Sequence, residues 1–259
     1  MRKLLASWAL IVLGACAGWA ADSSENPEDF HFEVTGSGWL VNSGGTIQAS
    51  GSPINLVTDL GVYQQQPTFY GKLVVKPGRK HRILVEGTPF RLAGENTVDR
   101  TVTYHGETFT VSQTLMSNAD FNYAFAGYQY DFLSGPMGHL GISVGGAYLN
   151  AEGAIRALET GISANKSETI GLPLAGAEGR IFPIRGHRIL EFDAGIRGMD
   201  FGDYGHYLEA GGNAGVTFGP VTLQAGYRSV RVDIETTSAN PSGVDARLRG
   251  PLFSAQWRW

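Results

Sequence analysis

Cysteine occurs once in 259 residues, at Cys16. That excludes a disulfide framework, and beyond position 16 it excludes a thiolate nucleophile and a cysteine metal site. Long apolar runs are also missing after the N-terminus. No later stretch approaches the ~18 consecutive apolar residues that a membrane-spanning helix needs. Charged residues make up only 17% of the chain, and the net charge is −4. Removing Arg2 and Lys3 would make the remainder slightly more acidic, which argues against nucleic acid as a partner. No glycine-rich loop follows a strand and opens a helix, so nucleotide binding has no support. No metal-ligand spacing and no cofactor motif is present.

What the chain has in quantity is glycine, 36 residues, and aromatics, 11%. Each glycine in a helix interior would cost about 1 kcal/mol, so the composition disfavours helices.

The N-terminus reads as an export signal. Arg2 and Lys3 precede an apolar stretch from Leu4 to Leu13, and small residues follow from Gly14 to Gly18 and at Ala20 and Ala21. That is the order of a secretory signal peptide. A single membrane anchor is the alternative, but Ala20-Ala21-Asp22 gives a cleavage-type exit and no basic cluster follows. Residues 1–20 are therefore expected to be a signal peptide, 21–29 a polar lead-in, and 30–259 the folded domain. Leu13-Gly14-Ala15-Cys16 resembles a bacterial lipoprotein cleavage box, which would make Cys16 a lipidation site; otherwise Cys16 is a small apolar residue of a discarded peptide.

Alternation of apolar and polar residues dominates the remainder. In His139–Leu149, Leu140, Ile142, Val144, Gly146 and Tyr148 share one face, and Tyr207–Phe218 repeats the pattern. Period-two alternation is a strand signal. Strands are expected near 30–40, 68–75, 81–92, 120–133, 139–150, 169–183, 188–198, 207–218, 221–234 and 246–259. Four connections are short and rich in Pro and Gly. They alternate with long polar stretches: Val41 to Pro67, Ala93 to Ala119, Ala151 to Glu168, Met199 to His206 and Glu235 to Asp245. Short turns at one end and long loops at the other predict an all-β, transmembrane, antiparallel up-and-down barrel of ten strands, with eight as the alternative. A lipocalin-like barrel or sandwich would also alternate.

The C-terminus separates these choices. Phe253, Ala255, Trp257 and Trp259 share one face of the last strand, opposite Ser254, Gln256 and Arg258. Such an edge suits an aromatic girdle at a bilayer interface. A terminal aromatic strand of this kind resembles the assembly signal of Gram-negative outer-membrane β-barrels, carried here by Phe253, Trp257 and Trp259. The resemblance implies a bacterial outer-membrane location, short turns facing the periplasm, and contact with lipid and lipopolysaccharide. It also implies the barrel assembly machinery and periplasmic chaperones as partners during biogenesis. It marks a class of fold and no function.

If the apolar face meets lipid, the opposite face lines the lumen. That face collects Lys72, Arg82, Glu86, Glu191, Asp193, Arg197, Glu209, Arg228 and Arg258. Glu178 and Arg180 share parity with Ile170, Leu172 and Leu174, so a bulge near Pro173 or Gly176 is expected to turn the two charges inward. Unpaired ions in a narrow lumen are costly, so this charge network is expected to be salt-bridged. A small barrel is filled by its side chains. The expected function is structural, surface-contact or ligand-binding, with the lumen plugged; a narrow channel for ions or small solutes is the alternative.

Catalysis has one weak candidate. Asp200, Asp203 and His206 lie within a single loop, and acidic proteases of the outer membrane use Asp and His at the barrel rim. Those enzymes carry closely spaced pairs on opposite walls, whereas this cluster has no partner pair. The same residues suit a glycine-rich turn or a weak Ca²⁺ contact. Of the six histidines, none has a serine within two residues to suggest a serine hydrolase.

Overall fold

The computed structural model describes residues 26–49, 53–63, 65–185, 187–235 and 242–259. The expected signal peptide and Cys16 lie outside these residues. In chain order the strands are β1 (Phe32–Ala49), β2 (Ile54–Asn55), β3 (Gln65–Gly78), β4 (His81–Thr97), β5 (Val102–Tyr104), β6 (Glu107–Phe109), β7 (Thr114–Gly135), β8 (Gly138–Ala157), β9 (Ser163–Ile181), β10 (Leu190–Asp200), β11 (Gly205–Phe218), β12 (Val221–Glu235) and β13 (Ser242–Arg258). Ten of these, all but the short β2, β5 and β6, form one antiparallel sheet whose last strand pairs with its first. The closing seam puts Glu33 opposite Arg258 and Val34 opposite Trp257. The fold is therefore a closed ten-stranded barrel, and closure removes the unpaired edges that a membrane would not tolerate.

The outside is an apolar belt. Ile142, Val144 and Tyr148 of β8, Phe69 of β3, Leu223 and Tyr227 of β12, and Phe253 and Trp257 of β13 are all exposed. In water this pattern would be a large sticky surface; in lipid it is the favoured one. Phe32 stacks on Trp259 at 5.3 Å across the seam, and Trp257 lies 5.2 Å from Trp259, so Trp257 and Trp259 cluster at the short-turn end, with Phe253 further up the outer face.

Two expectations are corrected. The long polar stretches are not mostly loop: β1 continues to Ala49, β4 to Thr97, β8 to Ala157, while β7 starts at Thr114 and β9 at Ser163. Apolar alternation on the outer face ends where outward positions become Asn42, Arg91, Asp120 and Asn150, yet backbone pairing runs on beyond them. The belt marks lipid, and the strands outlast it. Beyond the belt the pattern inverts, with Leu92, Leu115 and Ile155 buried inside.

The second correction concerns β9. Its register with β8 runs unbroken from Gly138↔Ile181 to Arg156↔Ser163, so there is no bulge at Pro173 or Gly176. Glu178 and Arg180 face inward, and so do Leu172 and Leu174, both buried. The apolar residues there belong to an apolar layer of the lumen, which sequence alternation alone cannot distinguish from a lipid face.

Candidate functional site

The lumen has a charged layer at the short-turn end. Glu28, from the segment before β1, is fully enclosed there. Its carboxylate accepts from Arg82 at 2.6 Å and from Lys76 at 3.4 Å, with His139 Nδ1 at 3.1 Å and Arg180 at 3.5 Å. Arg82 also donates to Asp131 at 2.7 Å. Arg180 reaches Glu33 at 2.9 Å, Arg258 bridges Glu33 at 2.7 Å and Glu191 at 2.8 Å, and Gln224 donates to Glu191 at 2.6 Å. The ring of Phe30 lies under these cations, 4.6 Å from Lys76 Nζ.

Above this cluster stand three separate pairs. Lys72 meets Glu178 at 2.6 Å. Arg197 holds Glu86 in a two-pronged contact at 2.8 and 3.1 Å. Arg228 meets Glu209 at 2.7 Å, and Tyr207 Oη donates to Glu209 at 3.0 Å. Asp193 accepts from Asn213 at 2.7 Å and Gln224 at 3.0 Å. A cavity of about 100 Å³ lies among these groups. Matching each ion to a partner with good geometry is what makes burial of so many charges tolerable.

An apolar layer sits on the charged one. Arg197 lies 3.7 Å from the centre of the Phe125 ring, and Arg228 lies 4.1 Å from that of Tyr70 and 5.0 Å from that of Trp39. Cation–π contacts thus join the two layers. Trp39 packs edge-on to Phe90 at 5.3 Å and donates to the Gly250 carbonyl at 3.2 Å, while Tyr123 stacks on Tyr207 at 6.3 Å. Leu172, Leu174, Val230 and Leu252 complete this core. A side chain at Gly145 would meet the Phe125 ring at 2.6 Å, so glycine there makes room for the ring.

The long-loop end is capped. The segment 54–62 and the β5–β6 hairpin fold over the mouth, and Leu56, Leu60, Val62, Tyr104 and Phe109 are buried with Leu92, Leu115 and Ile155. Asn55 Oδ1 accepts from the backbone of Val57 and Thr58 at 2.9 Å. Asp59 forms a salt bridge with Arg100. Ser117 Oγ donates to the Leu60 carbonyl at 3.0 Å, and Asn96 donates to that of Thr58 at 2.6 Å. Gly94 passes so close that a Cβ would meet the Leu60 carbonyl oxygen at 2.4 Å. Beneath this cap lies a second cavity, of about 250 Å³ and mainly apolar.

All eleven charged residues expected in the lumen point inward. Glu28, Glu33, Lys76, Asp131 and His139 join them without having been singled out. Glu33 and His139 share parity with inward neighbours, so the alternation carried a signal for both. Nothing in the sequence marks Glu28, which precedes the first strand. Of the loop candidates, Asp200 and His206 come side by side on the outer wall and Asp203 stands apart: Asp200 Oδ1 accepts from the Gly202 N–H at 2.8 Å, a local turn contact. His206 is the cross-strand neighbour of both Asp200 and Asp233, with Nδ1 3.9 Å from Asp233, on the outward parity of β11. Asp203 is exposed in a short 3-10 turn.

No protein-family model matches the chain, and no curated protein matches it in sequence. Solved structures do match. The outer membrane protease OmpT of Escherichia coli superposes with a TM-score of 0.56 at 10% identity, over 94% of this chain and 100% of that one. The translocator domain of the autotransporter NalP from Neisseria meningitidis gives 0.42 at 13% identity, covering 100% of this chain and 96% of that one. The transport unit of AIDA-I from Escherichia coli gives 0.41 at 11%, covering 98% of each. The shared property is the barrel, and this chain has the fold of an outer-membrane β-barrel.

Proposed function

We propose that this is a small bacterial outer-membrane barrel, exported through a cleaved signal peptide, whose lumen is closed and whose working face is the long-loop end, where it binds a ligand. The observation that carries this reading is the stacking of two layers across the lumen. The ion pairs from Glu28 to Arg258 fill the short-turn end, and the Trp39–Phe125–Tyr207 layer lies directly on them. Ten strands enclose little more than their own side chains; water-filled porins need about sixteen. A solute path would have to break paired, desolvated ions and then cross an apolar layer.

Single-channel conductance in a planar bilayer tests the reading. Folded protein should be silent across a range of salt. Reproducible steps would replace this reading with a narrow polar channel lined by the same charges. The hydrolase alternative draws no support from Asp200, Asp203 and His206, because His206 and Asp200 project from the outer wall and not into the mouth. An unchanged hydrolysis rate in His206→Ala would remove it.

A further inference from the structure

The cavity under the cap is walled by Ile47, Phe121, Leu149, Ile170 and Val232 and roofed by Leu60. The roof is fastened by the Asp59–Arg100 and Ser117–Leu60 contacts, so the space is built into the fold and is not a gap between loose loops. Its few charged neighbours include Lys166 and Glu168, which pair with each other at 3.0 Å. An apolar cavity of about 150 Å³ stays dry and takes up benzene. At about 250 Å³ this one has room for a larger hydrocarbon.

The wall beside it is uneven. β8 and β9 pair as far as Arg156↔Ser163, but β9 and β10 pair only from Ile181 to Ala175. The β10–β11 hairpin ends at Asp200↔His206, where the outward face turns polar. Among the described strand pairings, residues 163–174 of β9 thus have no β10 partner. The low side of the barrel coincides with the edge of the lipid belt, next to Ile170 of the cavity wall.

Resting on the reading of the long-loop end as a ligand-binding face, we propose that this cavity binds an uncharged hydrocarbon group of about ten carbon atoms, entering over the β10–β11 hairpin at the membrane surface. The hydrocarbon is either a free small molecule or one acyl chain of a lipid. The apolar wall supplies affinity, and the absence, among the described lining residues, of a cation free to pair with an anion works against anionic ligands, since Lys166 is taken by Glu168 and the remaining charged lining residue, Glu152, is acidic.

The test uses the folded mature protein in phosphatidylcholine nanodiscs, with 1-fluoronaphthalene followed by ¹⁹F NMR and empty nanodiscs as the partition reference. Binding above that reference is expected. Ala151→Trp, which fills the cavity from β8, should weaken it by about tenfold or more, while the boiling-dependent gel shift shows that the barrel still folds. If that variant does not fold, Ala119→Phe fills the same space from β7. No binding above the reference, binding unchanged in a folded cavity-filling variant, or equal affinity for naphthalene-1-sulfonate would each overturn the proposal. Repeating the titration in lipid-free amphipol separates the sources. An affinity that rises there, with a retained lipid seen by native mass spectrometry, assigns the site to an acyl chain; an unchanged affinity assigns it to a free molecule. A barrel that conducts yet binds the probe would overturn the closed-lumen reading and leave this one standing. A silent barrel that does not bind would do the reverse.

Discussion

Glu28 lies 2.6 Å from Arg82, although one precedes the barrel and the other sits on β4. The segment before β1 is therefore the floor of the lumen. Its buried carboxylate, that of Glu28, sits among Lys76, Arg82, His139 and Arg180.

Glu28→Gln keeps the shape and removes the charge, taking from buried Lys76 its carboxylate partner and from Arg82 and Arg180 one of two. Breaking a buried pair by removing one partner costs about 3–5 kcal/mol. The urea midpoint of the refolded barrel should fall accordingly, and amide exchange at Phe30 should quicken as the floor loosens. The boiling-dependent gel shift should persist, because the wall does not depend on Glu28. An unchanged midpoint would show that the floor contributes nothing to stability.

Arg197 and Glu86 offer a cleaner comparison. Arg197→Met should destabilise by a similar amount, since Glu86 is left buried beside Lys72 and away from water. The double variant Arg197→Met, Glu86→Leu should recover much of the loss, because a buried ion pair is often replaceable by packed apolar residues. A double variant no more stable than the single one would mean that the pair sets the register of the lumen.

The cap should respond to acid. Burial works against ionisation of Asp59, but the hydrogen bond from Arg100, the Asn55 N–H and the guanidinium charge prevail and hold its pKa below the ordinary Asp value. A carboxyl whose folded pKa is depressed stabilises fully above its unfolded value, about 3.9. That stabilisation is lost as pH falls through the folded value. Proteolytic nicking of segment 54–62 should therefore rise as pH drops below about 4, and Asp59→Asn should be nicked readily at neutral pH. Equal protection of both proteins at neutral pH would remove the clasp from the account. Arg100 is partly exposed, so high salt should weaken the effect.

Deleting Trp257 to Trp259 should block assembly more than the lost area suggests. Trp259 exchanges backbone hydrogen bonds with Phe32 at 3.0 and 3.1 Å and accepts from the His31 N–H at 2.9 Å. Arg258 holds Glu33 and Glu191 from inside. The deletion opens the seam and leaves two carboxylates without Arg258 in one step. Surface levels equal to the full-length protein would count against an assembly role for the terminal strand.

The sequence by itself determined the barrel. Period-two alternation places Ile142, Val144 and Tyr148 outward, and ten such stretches with alternating short and long connections leave few other architectures. It also marked nine of the eleven inward charges, because a charge opposite an apolar face can only be luminal in a membrane; Glu178 and Arg180 were expected inward through a bulge that the unbroken β8–β9 register does not contain. Three things waited for the tertiary structure. Leu172 and Leu174 point into the lumen, and an apolar layer inside a barrel carries the same alternation as a face toward lipid. The strands run past the belt, because backbone pairing does not end where lipid does. Glu28 reaches its partners, and the cap closes over its cavity, through contacts between residues far apart in the chain, such as Asp59 with Arg100 and Ser117 with Leu60. Local pattern records which medium a face meets; only the closed fold decides which distant side chains share an interior.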